Sequence, residues 1–338
     1  MNETFSAPTA DEVWRQAHSL LINGNRIAQK SRLGDTREIL HARLHVEAPR
    51  QRWVLSRTPP LNPAFAIAEV LWILSGEEQA SLLNYWNPVL PKFAGDGTIY
   101  YGAYGHRIRR RFGFDQLEGA YFALKNNPTS RQVVIQIWDP TADLPTYYGT
   151  PRDPDIPCNI CAMLKIRDER LEWHQVMRSN DIYRGTPHNL IQFTCMQEIL
   201  AGWLGIDVGS FHLSCDSLHI YEKDLKNCNS DSDLIVPNNP DNLALDKKQS
   251  DEQLTLLWEN IKSLSNPLLT PKKYSKIINT KKIITTYRNL LLINAADSAR
   301  RHGWVNEMNQ AASMCTNTLL SLAFARWKNR KEYGRHKT

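Results

Sequence analysis

The stretch PCNICAMLKIRDERLEWHQVMRSND, residues 157–181, decides how this chain is read. Cys158 opens a run that has the length and composition of a strand and continues to Arg167. Arg170 to Met177 reads as the return strand. A hairpin of this kind carries Cys158, at its start, next to Arg178-Ser179-Asn180-Asp181, at its end. Most cysteines of cytosolic proteins are small core hydrophobes. Cys158 differs, because it follows Pro157 at a loop-to-strand junction and has a cation and a hydroxyl across the hairpin. Those two groups can hold a phosphate and lower the thiol pKa, and a thiolate beside fixed positive charge is what covalent catalysis needs.

Working outward from the hairpin, residues 139–157 are rich in Pro, Asp and Tyr and read as a long loop. Such loops in compact domains are often functional. Upstream, Val133 to Trp138 reads as a buried strand and residues 115–126 as a helix. Pro63 opens a strongly apolar helix that runs through Leu74 and is stopped by Gly76. Glu69 lies inside that helix, where a carboxylate is costly unless it is paired or working near a pocket. Residues 10–30 predict an opening helix through Val13, Ala17, Leu20, Leu21 and Ile27, and residues 36–57 predict short strands. Downstream, a helix is expected from about Pro187 to Trp203, followed by a strand from Ser210 to Cys215. Asn189 stands in the first turn of that helix, as a cap or as an amide that could read a pyrimidine edge. His219 and Tyr221 are two residues apart, so a strand would turn both to one side.

Three stretches are expected: a catalytic core over 1–226, a polar loop or linker over 227–251, and a helical extension with a basic tail over 252–338. In the extension, helical patterns run through Leu254 to Ile261, Ile283 to Ile293 and Met308 to Trp327. Strands and helices mix without regular alternation, which gives an α+β class.

The chain has 338 residues, enough to bury a core without disulfide or metal support. No apolar run is long enough to span a membrane, and Met1-Asn2-Glu3-Thr4 does not open a secretory signal. Six irregularly spaced cysteines imply free thiols in a reducing, cytoplasmic setting. Cys158-x-x-Cys161 has no second such pair, so no metal is expected. The net charge of +6 is concentrated near the end, in Arg326, Lys328, Arg330, Lys331, Arg335 and Lys337. This reads as a solvated helix end, with contact to nucleic acid the weaker alternative.

Together these motifs resemble thymidylate synthase and the related pyrimidine nucleotide hydroxymethylases. The resemblance covers most of residues 10–224. It is strongest across Pro157-Cys158, Arg178-Ser179-x-Asp181, Gly185-x-Pro187-x-Asn189 and Ser217-Leu218-His219-Ile220-Tyr221. The resemblance implies a twisted mixed sheet with helices on one face and a homodimer formed through the other. It implies that Cys158 adds to C6 of the pyrimidine and that Arg178 and Ser179 hold the 5′-phosphate with Arg32. Arg131 matches the arginine that reaches the partner's phosphate across the dimer. Asn189 would read the base, and His219 and Tyr221 the sugar hydroxyl. Glu69 would manage protons and order water, with Tyr104 (or Tyr101) near the base. Asp181 and Gly185 would meet the co-substrate, 5,10-methylenetetrahydrofolate, which carries the one-carbon chemistry.

The chain departs from the family pattern at several points. Asn159 stands where synthases usually have His, Gln132 where many have a second Arg, His188 where an aromatic is usual, and Arg184 where Leu is usual. An extra residue lies between Asp216 and His219, and the apolar closing tail has no match in Gly334 to Thr338. The first expectation is a thymidylate synthase acting on dUMP, favoured by Asn189. The second is a pyrimidine nucleotide 5-hydroxymethylase acting on dUMP, dCMP or CMP, favoured by the tail and the altered folate side. A non-catalytic nucleotide- or nucleic-acid-binding protein is a third, weaker expectation, because Cys158, Arg178, Asn189, Glu69 and Tyr221 are all present.

Overall fold

The computed structural model of the protein describes residues 3–24, 27–31 and 33–330. Arg32 and the tail from 331 onward lie outside the described residues.

Nine strands are described: β1 (Thr4–Ala7), β2 (Ile27–Gln29), β3 (Thr36–Val46), β4 (Arg57–Thr58), β5 (Val133–Gln136), β6 (Asn159–Arg167), β7 (Arg170–Asp181), β8 (Asp207–Tyr221) and β9 (Asn229–Ser230). Seven form one mixed sheet in the order β1-β3-β8-β7-β6-β5, with β2 on β3; β4 and β9 pair separately. β6 and β7 are the antiparallel hairpin that the sequence predicts. Asp168 and Glu169 turn it with positive φ angles of 48° and 55°, the backbone twist that a two-residue hairpin turn requires. β7 and β8 run parallel. Parallel neighbours need a crossover, and the helix Thr186–Leu204 supplies it. That helix therefore packs on one face of the sheet.

The buried side of the sheet shows in the strand alternation. Leu171, Trp173, Gln175 and Met177 of β7 and Phe211, Leu213 and Cys215 of β8 are buried. They meet the helices Ala10–Asn23, Pro63–Leu74 and Thr186–Leu204. Their alternates on the same strands, Glu172, His174 and Val176 and then Ser210, His212 and Ser214, are half-buried or exposed. On this second face the rings of His45 and His212 stack at 4.3 Å. His174 lies edge-on to His212 at 6.3 Å and reaches Ser214 Oγ through Nε2 at 2.8 Å.

Several elements differ from their predicted bounds. The opening helix ends at Asn23, and Ile27 belongs to β2. The region read as short strands is mainly one long strand, β3, in which His41 adopts φ 58°. The strand expected over Ser210–Cys215 spans Asp207–Tyr221, because its outward positions are polar and mask the alternation. The expected helix from Met308 to Trp327 is two helices, Val305–Met314 and Thr318–Lys328. Asn317 makes that break by capping the second helix, with Oδ1 accepting from Leu320 N at 3.0 Å.

The helices after 246 pack onto the sheet-bound layer. Thr285–His302 is buried along most of its length, and Asn294 Nδ2 donates to Ala64 O of the helix Pro63–Leu74 at 2.8 Å. The polar segment before them is pinned. Asp241 accepts from Asn289 at 3.1 Å and from Asn317 at 2.7 Å. No helix of the described residues is long and apolar enough to cross a membrane.

Candidate active site

The β6–β7 hairpin sets the centre of the site. Asn159 pairs with Met177, and Arg178 N donates to Cys158 O at 2.9 Å. The cysteine and the arginine are thus neighbours through the backbone ladder itself. The Arg178 guanidinium donates from Nε to Pro157 O and from Nη2 to Ile156 O, both at 2.9 Å. It lies 5.6 Å from the centre of the Trp138 ring. These bonds hold its charge beside the half-buried thiol.

Arg178 lowers the thiol pKa as expected, but the net shift is upward. Burial is the larger effect and pushes the Cys158 thiol up. Arg178 opposes that rise, and the Asp155 and Asp181 carboxylates add to it. A thiolate here loses more from desolvation than one guanidinium, already shared with two carbonyls, returns.

β8 delivers the next groups in register. Ser179 lies opposite Ser217, and Asp181 opposite His219. Ser179 Oγ is 3.4 Å from His219 Nδ1. His219 and Tyr221 meet edge-to-face with ring centres 5.4 Å apart, as the two-residue spacing implies. Past β7 the chain turns at Asp181, whose Oδ1 accepts from Tyr183 N at 2.8 Å and Arg184 N at 3.1 Å. Arg184 extends back to Asp181 Oδ2 at 3.3 Å and to Asp224 Oδ1 at 2.7 Å. A Cβ at Gly185 would lie 2.8 Å from Asn180 Oδ1, so a side chain there would have to displace the Asn180 amide.

The helix Thr186–Leu204 then presents His188, Asn189, Gln192 and Phe193 on one side, at the spacing of neighbours on a helix. Asn189 is buried and donates through Nδ2 to Gln192 Oε1 at 3.0 Å. Tyr104 stands against Phe193 with ring centres 6.3 Å apart. Burial raises the Tyr104 hydroxyl well above its ordinary range, and Cys158, Asp155 and Glu69 add to that rise while Asn159 opposes it. One phenol therefore feels the thiol, two carboxylates and an amide. Gly105 makes this placement possible, because a Cβ there would come within 2.3 Å of Ile73 O on the helix that carries Glu69. Glu69 itself faces His188, with Oε2 to Nδ1 at 3.4 Å.

One described residue of the predicted set, Arg131, does not join this cluster. Arg32 lies outside the described residues. Arg131 is exposed and precedes β5. Val133 pairs with Leu164, which sends Arg131 toward the opposite end of β6 from Cys158. Sequence reasoning missed Asp155, whose carboxyl is pushed up to about 6 by burial despite accepting from Gly102 N at 2.9 Å. It also missed Trp138 and Gln175. The latter fixes Asn159 through Nε2 to Oδ1 at 3.0 Å. No local pattern marks these three, since each acquires its role only when distant loops and strands meet.

A family model for thymidylate synthase matches residues 15–262. The chain belongs to the thymidylate synthase family. The deoxyuridylate hydroxymethyltransferase of Bacillus phage SP01 is 32% identical over 234 residues, covering 65% of this chain and 59% of that protein. The deoxyuridylate hydroxymethyltransferase of Pseudomonas phage M6 is 31% identical over 190 residues, 56% of this chain and 53% of that protein. The thymidylate synthase of Francisella philomiragia is 27% identical over 194 residues, 53% of this chain and 69% of that protein. The chain thus spans between half and two thirds of the length of the two phage relatives. The matched family region takes in every strand of the sheet except β1, the hairpin, the crossover helix and most of the helix Lys247–Leu264.

Proposed function

We propose that this thymidylate synthase family member transfers a one-carbon unit from 5,10-methylenetetrahydrofolate to C5 of dUMP through a covalent Cys158 adduct. The convergence of Cys158, Tyr104 and Glu69 beside Arg178 supports this reading. The chemistry needs a nucleophile, a proton manager and a cation within one pocket.

In this reading Arg178 and Ser179 hold the 5′-phosphate with Arg32, and His219 and Tyr221 take the sugar hydroxyl. Arg's planar donor fork suits a phosphate. Asn189 reads the base with the amide that Gln192 orients. Cys158 Sγ adds to C6 as a thiolate, which makes C5 a carbon nucleophile. The raised thiol pKa means that most of the free protein holds the neutral thiol, so proton removal from Cys158 accompanies substrate engagement. Tyr104 and Glu69 handle protons at the base. Asp181 and Gly185 are the residues that would hold the folate. When bound, the folate supplies the one-carbon unit and, in a synthase, the hydride.

The last reactant separates two products. Hydride gives dTMP, the first expectation from sequence. Water gives a 5-hydroxymethyl nucleotide, and the names of the two phage relatives favour it. The chain is further proposed to act as a homodimer through the second face of the sheet, with Arg131 reaching the partner's nucleotide. The test is mass spectrometry of products after incubation with dUMP and methylenetetrahydrofolate, with dCMP in parallel. A one-carbon increment on dUMP is expected, and Cys158→Ala should abolish it. Turnover that survives in Cys158→Ala would sink the covalent reading.

A further inference from the structure

Two buried polar atoms near Tyr104 face each other without a hydrogen bond. Glu69 Oε2 and His188 Nδ1 are buried, and neither has a hydrogen-bond partner. They face each other at 3.4 Å, with the two side chains 17% and 16% exposed. Leaving such atoms unsatisfied is costly, so packing alone does not account for them. Phe65 and Glu69 are one turn apart on the helix Pro63–Leu74, hence on one side. His188 lies across both, edge-on to Phe65 with ring centres 5.1 Å apart. An aromatic at 188 could make the contact with Phe65. It could not donate to Glu69. Of the other titratable groups, Tyr104 feels the Glu69 charge, and Tyr104 in turn feels Cys158 and Asp155.

We propose that His188 is a positioning residue: its Nδ1–H binds Glu69 Oε2 and leaves Glu69 Oε1 aimed to take a proton from a water at the C5 substituent. A shift of a few tenths of an ångström converts the 3.4 Å approach into a hydrogen bond. The step that follows is balanced. Once the folate nitrogen has left and C5 bears an exocyclic double bond to the one-carbon unit, the water oxygen bonds to that carbon and its proton passes to Glu69. The electron pair moves through the ring and expels the Cys158 sulfur from C6, which restores the ring double bond. The pair is thus the device that makes water the last reactant, and the product carries a hydroxymethyl group. This inference rests on the one-carbon transfer reading above and chooses between its two products.

The test compares the wild-type protein with His188→Phe and His188→Asn, using dUMP and methylenetetrahydrofolate and scoring both products by mass. Phe keeps the ring that packs on Phe65; Asn keeps an N–H donor near the Nδ1 position and gives up the ring. The wild type should form the hydroxymethyl nucleotide. In His188→Phe that product should fall about a hundredfold, as a loss of kcat with the nucleotide KM unchanged. His188→Asn should recover most of the loss. A His188→Phe protein that still makes the hydroxymethyl product at the wild-type rate overturns the proposal. So does an Asn variant as poor as Phe, or a wild type that yields only the methylated nucleotide. No product of either kind from the wild type would instead remove the one-carbon reading on which the proposal stands.

Discussion

Cys158 shows how a nucleophile is set by competing terms. The guanidinium next to it, and the direction in which it moves the thiol, were legible in the sequence, but the larger opposing effect of burial was not. Burial belongs to the folded chain and no local pattern marks it. Because burial wins, the free protein should resist alkylation at neutral pH. Reaction of Cys158 with iodoacetamide, followed by peptide mass mapping, should climb steeply with pH and keep climbing past about 9, the ordinary thiol value. Arg178→Ala removes the cation that opposes burial at this thiol and should slow the reaction further at each pH. A plateau reached near neutrality would show a stabilised thiolate and contradict the balance of burial over charge. The other residues of the site divide in the same way. Arg178, Ser179 and Asp181 could be found because a hairpin ties them to Cys158 within 25 residues of chain. Asp155, Trp138 and Gln175 could not, since each becomes part of the site through contacts made across the fold.

At the scale of elements, the helix Pro63–Leu74 and the β6–β7 hairpin were read correctly because local chemistry marks both. Pro63 and Gly76 punctuate the helix, and a two-residue turn closes the hairpin. β3 and β8 were underestimated. Their long pairing runs from Thr36↔Tyr221 to Val46↔Phe211, and such register is a property of two strands that no single segment displays. Gly105 is a comparable case. Its sequence neighbours suggest only a turn, yet its missing Cβ lets Tyr104 lie against the Glu69 helix. Gly105→Ala would press a methyl group into the Ile73 backbone. The expected cost is about 1–3 kcal/mol of stability, read by denaturant titration, together with reduced turnover as Tyr104 shifts. Unchanged stability would mean that the two helices can move apart at little cost.

For the whole molecule, the sheet has one face under helices and, among the described residues, a second face whose outward side chains are half-buried or exposed. The proposed dimer uses the second. Sedimentation at micromolar concentration should give twice the chain mass of 38.8 kDa. An active monomer would refute that arrangement, and with it the proposed reach of Arg131. The solvated reading of the basic end fails at Arg326, which is buried and paired with Asp231 at 3.0 Å, and holds for the exposed Lys328; residues after 330 lie outside the described ones.

The stacked imidazoles on that second face carry a consequence of their own. Burial lowers the His174 and His212 pKa values; Lys165 and Arg43 add to this for His174. At His212 the neighbouring imidazoles also lower it, while Glu172 opposes. Their neutral forms are therefore the ones the fold tolerates. The sign follows from linkage. Stability is full above the unfolded-state value of about 6.5 and is lost as acid drives protons onto rings the fold would rather keep uncharged. Replacing His212 with Gln should flatten the loss of dimer between about pH 7 and pH 5, followed by sedimentation. Histidines laid ring on ring would then act as an acid fuse, and mild acidification would release each subunit from its twin while the catalytic chemistry lies elsewhere in the fold.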